Sequence, residues 1–181
     1  MAMAPGVRKL ALTAHVASSV GWFGSVAAFL VLAVVGLTGP DAQRVSGTYF
    51  ALEVLGRYVI VPLAFASLAT GLVQSLGTTW GLLRHYWVLV KLALTVLATF
   101  LLLLHMRVAD QVADAAARTE LSGSDVGAMR VQLVVDAAAA VAVLLTTTAL
   151  SVYKPRGITR YGWRMRQEQR AERGGGPAVS G

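Results

Sequence analysis

Four long apolar runs constrain this chain more than any other feature. Residues 10–37 read LALTAHVASSVGWFGSVAAFLVLAVVGL and contain no Asp, Glu, Lys or Arg. About twenty apolar residues in a helix suffice to cross the hydrocarbon of a bilayer. Comparable runs follow at 56–76, 86–106 and 131–153. Peptide groups in lipid have no water partner, so each run must satisfy its hydrogen bonds within a helix or a closed barrel. Period-two alternation is absent, which excludes the barrel. Runs this apolar leave a soluble bundle with almost no polar helix face. The expected fold is all-α, a four-transmembrane-helix bundle with a short 2–3 hairpin at 77–84. Residues 1–153 form the membrane domain and 154–181 a basic tail whose end, GGGPAVSG, reads as disordered. The first run is far longer than the apolar core of a signal peptide, about 7–15 residues, and three more runs follow it.

Charge sets the expected orientation. Only 14% of the 181 residues are charged and 56% are hydrophobic, whereas soluble domains carry about a quarter charged residues. Arg8, Lys9, Arg84, Lys154, Arg156, Arg160, Arg164, Arg166, Arg170 and Arg173 fall on one side of a four-span topology. On the other side Arg44, Arg57, Arg107, Arg118 and Arg130 are balanced by Asp41, Glu53, Asp110, Asp114, Glu120 and Asp125. The positive-inside rule then places both termini in the cytoplasm of a multi-pass protein, here expected in a bacterial inner membrane. The net charge of +7 thus belongs to a juxtamembrane tail. Its arginines, with Tyr153, Tyr161 and Trp163, are expected to meet anionic headgroups. No nucleic-acid-binding signature accompanies them. The absence of cysteine excludes disulfides, thiolate metal sites, iron–sulfur clusters and a CxxCH haem attachment.

Between the runs, Thr38, Gly39, Pro40, Asp41, Gln43 and Arg44 read as a polar connector, and FALEVL as the lead-in to the second span. Pro62 removes a backbone donor inside that span, and Gly71 permits close helix approach. Val108, Val112 and Ala116 carry a helical pattern beyond the third run, until Gly123 and Gly127 break it. Ser122 or Ser124 is placed to cap the last helix. LysProArgGly at 154–157 ends it.

Polar groups retained inside such spans mark function or a structural pair. Counted at about 1.5 Å per residue, His15, Lys91 and Gln74 fall in one tier near the cytoplasmic side, approached by Thr147 and Thr148. His15, Ser18, Ser19, Trp22 and Ser25 form a stripe along one side of the first span. His105, Asp136, Arg57 and Tyr58 fall in the outer tier, where Asp136 is expected to form a buried polar pair with Arg57 or His105. The bland alternatives are a register-fixing ion pair there, a snorkelling Lys91 and a surface role for His85.

Haem b is the cofactor this pattern suits best. His15 would be an axial ligand, small residues would flank the ring, and Lys91 or Arg84 would neutralise a propionate, with Trp22 and Gln74 beside it. His85 is a second ligand only if its loop folds inward. His105 lies at the other depth, so His15 and His105 serve separate metal sites if both are used. Three histidines cannot supply two bis-histidine haems. No HExxH, phosphate loop or serine elbow supports hydrolysis. Any enzyme here is expected to be a membrane oxidoreductase. Two other classes remain open: a structural or partner-binding protein, with a homo-oligomer or a membrane redox partner, and a small proton-coupled carrier using His15, Lys91, Gln74, His105 and Asp136 as a relay.

The segments HVASSVGWFGSVAAFLVLA (15–33) and HYWVLVKLALTVLATFLLLLHM (85–106) resemble small bacterial four-helix integral membrane proteins of unknown function. These are distantly similar to the copper-resistance CopD-like and the protoporphyrinogen-oxidase HemJ-like membrane proteins. The resemblance spans about 14–153 and rests on an early histidine followed by tryptophan and glycine, here His15, Trp22 and Gly24, and on the Trp87–Lys91 pattern. The HemJ-like resemblance implies haem b bound through His15, with Lys91 in support, in haem synthesis. The CopD-like resemblance implies copper traffic, which the lack of cysteines and of a methionine cluster does not favour. His105 and Asp136 have no counterpart in the HemJ-like set.

Overall fold

The computed structural model describes residues 4–77, 86–118 and 124–153, together with Thr159, Trp163, Arg164 and Gln167. The 2–3 hairpin beyond Gly77, Arg84, His85, Ser122 and most of the basic tail lie outside the described residues. Among those described the chain is helical, with no strand: α1 Pro5–Thr38, α2 Ala42–Leu55, a π turn Gly56–Ile60, α3 Val61–Gly77, α4 Tyr86–Ala117 and α5 Ser124–Tyr153. The segment from Ala42 to Leu76 is one continuous rod, so the described chain has four helical bodies long and apolar enough to cross a membrane. This is a multi-pass integral membrane protein.

Local chemistry sets the helix ends. Pro5 occupies the first turn of α1, where its missing N–H is not needed. Gly39 closes α1 by donating its N–H to the Val35 carbonyl at 2.9 Å, and Pro40 cannot continue the helix. A Cβ at Gly39 would sit 2.9 Å from both that carbonyl oxygen and Val45 Cγ2, so the corner requires glycine. Asp41 then caps α2, its carboxylate accepting from the Gln43 N–H at 3.1 Å.

The stretch from the polar connector through the FALEVL lead-in is therefore mostly helix, from Ala42 to Leu55. Val45, Thr48, Tyr49 and Leu52 recur at helical spacing and are buried, while Gln43, Arg44 and Gly47 face outward. An amphipathic helix of this kind escapes a search for continuous apolar runs. Likewise α4 runs to Ala117, with Ala109, Val112, Ala113 and Ala116 buried along the pattern seen beyond the third run.

Pro62 is accommodated by the π turn. The Val61 N–H reaches back to the Gly56 carbonyl, so Pro62 falls in the first turn of α3. The wider turn exposes the Gly56 backbone to α4, where Met106 Sδ lies 2.6 Å from the position a Cβ would take.

The helices alternate in direction around a ring. α1 packs against α2, α3 and α5; α4 packs against α5, α2 and α3; α1 and α4 oppose each other across the diagonal. The bundle has two unlike ends. Phe29, Ala33, Tyr49, Leu52, Ile60, Val112 and Leu133 concentrate the core toward the Arg57 end. Toward the Lys91 end, Ser18, Ser67, Thr99 and Thr147 share the interior with Trp22, Ala64 and Leu144.

Candidate functional site

The first polar cluster forms where α1 meets α3. His15 Nδ1 lies 3.1 Å from the Ser67 carbonyl and 3.1 Å from Thr70 Oγ1. A carbonyl only accepts, and the Thr70 hydroxyl already donates to the Ala66 carbonyl at 2.6 Å, so Nδ1 carries the imidazole proton. Neutral His15 therefore keeps a lone pair on Nε2. Gly71 lets the ring rest on α3: a Cβ there would come within 3.1 Å of His15 Cε1. Ser19 and Ser67 hydroxyls join the two helices at 2.8 Å. The stripe on α1 faces protein, with Ser18 and Trp22 buried.

Lys91 reaches across to α5. Its ammonium donates to Ser151 Oγ on α5 at 2.7 Å, and the Ser151 hydroxyl donates on to the Thr147 carbonyl at 2.8 Å. His15 with Ser67 and Thr70 joins α1 to α3, and Lys91 with Ser151 joins α4 to α5. Gln74 and Trp22 belong to the same half of the bundle. Gln74 Nε2 and Trp22 Nε1 are buried with no hydrogen-bond partner among the described residues.

The second cluster is separate. His105 Nδ1 lies 3.0 Å from Asp136 Oδ2, which fixes its proton on Nδ1. The imidazole side chain is 10% exposed and the carboxylate 42%. The ring meets Phe29 edge-on, with centroids 5.7 Å apart. His105 Nε2 is also buried without a partner among the described residues. Phe29 lies about 21 Å along α1 from His15, so the two histidines cannot serve one group.

Arg57 does not take part in that pair. Its guanidinium donates to Asp110 at 2.8 Å and lies 3.8 Å from Glu53. The reason is positional: Asp110 and Glu53 lie on the outward turns beside Arg57, while Asp136 faces α4 at the level of His105. Tyr58 is exposed and joins neither cluster.

Arg130 is a functional-looking residue that sequence reading assigned only to surface charge. It donates to the Gly36 carbonyl at 2.7 Å, the Leu37 carbonyl at 3.3 Å and Tyr49 Oη at 2.8 Å. Its guanidinium carbon also sits 5.5 Å from the Tyr49 ring centroid. An arginine of α5 thus caps the C-terminal carbonyls of α1, where a positive charge suits the helix dipole. Gly36 makes this contact, since a Cβ there would lie 2.9 Å from Tyr49 Cζ.

No three metal-binding side chains converge among the described residues. A shallow groove on α4, lined by Leu89, Leu92, Ala93, Val96, Leu97 and Phe100, is apolar and suits lipid chains. Comparison with known proteins returns nothing: no family model, curated protein or solved structure matches this chain.

Proposed function

We propose that the Lys91 end of the bundle holds haem b, for a redox or haem-handling role in a bacterial cytoplasmic membrane. The observation that carries this reading is His15. Its Nδ1–H is committed to Ser67 and Thr70, its Nε2 has no partner among the described residues, and Gly71 lets the ring lie against α3. A histidine oriented through its other nitrogen is the usual arrangement of an imidazole ligand to iron. The donor set fits the rest of the cofactor: Lys91 supplies a positive charge, and Gln74 and Trp22 supply N–H groups without acceptors. Bound haem supplies one-electron chemistry. The protein's part is to hold Nε2 in the coordinating tautomer and to neutralise a propionate beside Lys91. His15 is the one histidine at this depth among the described residues, so it serves as a single protein ligand.

This reading puts both termini, the 77–84 hairpin and the basic tail on the cytoplasmic side, where the tail's arginines meet anionic headgroups. The chain has no cysteine, so Thr79→Cys and Gly175→Cys can each be labelled alone. Both are expected to react from the cytoplasmic face only.

The deciding experiment is an absorption spectrum of the detergent-purified full chain. A Soret band that is lost in His15→Ala is expected. A colourless, helical preparation that takes up no haemin overturns the proposal.

A further inference from the structure

The half of the bundle at the Lys91 end has an uneven set of hydrogen-bonding groups. The runs 5–38, 61–77, 86–106 and 137–153 contain no Asp or Glu. The hydroxyls there are already committed: Thr95, Thr99, Thr147 and Ser151 donate to backbone carbonyls of their own helices. Their oxygens and His15 Nε2 keep acceptor lone pairs, but these runs hold no anion for the donors left over. The Lys91 ammonium has three protons, Ser151 accepts one of them, and no carboxylate lies within ion-pair distance of it among the described residues. The Gln74 amide nitrogen and the Trp22 indole N–H are buried and unpartnered, Trp22 at 4% exposure. A buried donor without an acceptor destabilises the folded state, and the half-buried Lys91 ammonium without a counter-charge keeps part of its desolvation cost. The three groups come from α4, α3 and α1, in the half of the bundle that carries His15. Between Tyr86 and Phe100, α4 fully buries only Thr99, so this stretch of α4 is lightly packed against the bundle.

We infer that this end of the bundle is a binding site for the carboxylate of a membrane-dissolved amphiphile. Lys91 neutralises the carboxylate and Gln74 donates to it, while the apolar body of the ligand lies among the helices. The Trp22 N–H, about 10 Å farther along α1 than His15, receives a second acceptor on ligands that carry one. The site goes beyond the haem reading and does not depend on it. A haem propionate is one such carboxylate, and a long-chain fatty acid is another.

The test uses the full chain, without haem, in phosphatidylcholine nanodiscs. The probes are stearic acid spin-labelled at C16 and its methyl ester, with the immobilised fraction read by electron paramagnetic resonance. The acid is expected to bind about tenfold more tightly than the ester, and Lys91→Met and Gln74→Leu each to remove about that factor. Lys91→Arg should retain binding, and Phe100→Ala, on the lipid-facing side of α4, should leave it unchanged. Circular dichroism establishes that each variant is folded, and the Lys91→Arg protein keeps the test readable if Lys91→Met is not. Equal binding of acid and ester overturns the inference, as does acid binding that survives both Lys91→Met and Gln74→Leu. No haem spectrum is read here, so a protein that binds stearate but takes up no haemin would defeat the haem assignment alone.

Discussion

The two ends of this bundle are held together by different physics. At the Arg57 end, large side chains pack to near-complete burial: Tyr49 and Leu52 are each 1% exposed and Val112 and Leu133 fully buried. At the Lys91 end Ser18, Ser67, Thr99 and Thr147 share the interior with Trp22, Ala64 and Leu144, and Trp22 Nε1 and Gln74 Nε2 have no partner among the described residues. Helix length explains the contrast. α1 has 34 residues, the Ala42–Leu76 rod 35 and α4 32, so each is about 48–53 Å long. The hydrocarbon is about 30 Å thick. Glu53, Arg57, Arg107, Asp110 and Asp114 mark the Arg57 end as the one where the excess leaves the hydrocarbon. Helices that leave the bilayer meet water, and there the hydrophobic effect drives close burial. Helices inside lipid gain nothing by exchanging lipid contact for protein contact, so they associate through close packing and hydrogen bonds.

The largest expected effect separates the two ends directly. Leu52→Ala should destabilise by about 2–5 kcal/mol, because it loses both transfer and cavity terms. Leu144→Ala, buried at the Lys91 end, should cost clearly less, since in lipid only the cavity term applies. Unfolding in a denaturing detergent titration measures both, and equal losses would contradict the assignment of the Arg57 end to water.

Next comes the contact between the π turn and α4. Gly56→Val places a Cβ against the flexible tip of Met106, and overpacking of this kind costs about 1–3 kcal/mol. Gly24→Ala, whose added methyl meets nothing within 4 Å, should be neutral in the same titration. If Met106 can swing aside freely, the two variants will unfold together. Arg130→Met tests the clamp on α1. It removes charged donors from the Gly36 and Leu37 carbonyls and Tyr49 Oη, an expected loss of about 1–3 kcal/mol. Faster hydrogen exchange in the last turn of α1 should accompany it.

What could be read in the sequence follows the same division. Unbroken apolar runs announced the four spans, because lipid imposes length and composition directly. The amphipathic α2 is not announced by an apolar run, because water on its outer face breaks the run while helical spacing survives in Val45, Thr48, Tyr49 and Leu52. His15, Lys91 and Gln74 could be assigned to one tier by counting along helices, since depth is a one-dimensional quantity. Direction within the tier could not be counted. Lys91 turning to Ser151, Gln74 and Trp22 left unpartnered, and Arg57 choosing Asp110 all depend on how helices rotate against each other. Arg130 gave no signal at all: its partners are two backbone carbonyls and a tyrosine on other helices.

The smallest effect tests the rule at the Lys91 end. Ser19 and Ser67 join α1 to α3 at 2.8 Å, and interhelical hydrogen bonds in lipid average about 0.6 kcal/mol in double-mutant cycles. A cycle of Ser19→Ala, Ser67→Ala and the double variant should return a coupling of about that size. The modest value follows from the unfolded reference, in which each hydroxyl still finds a carbonyl on its own helix, as Ser25 does with Gly21 at 2.7 Å. A coupling of about 2 kcal/mol or more would exceed the largest such values. The hydroxyls would then stabilise the α1–α3 contact as strongly as the clamp stabilises the other end. In that case the polar interior would have to be credited with holding the fold, and not only with receiving a ligand.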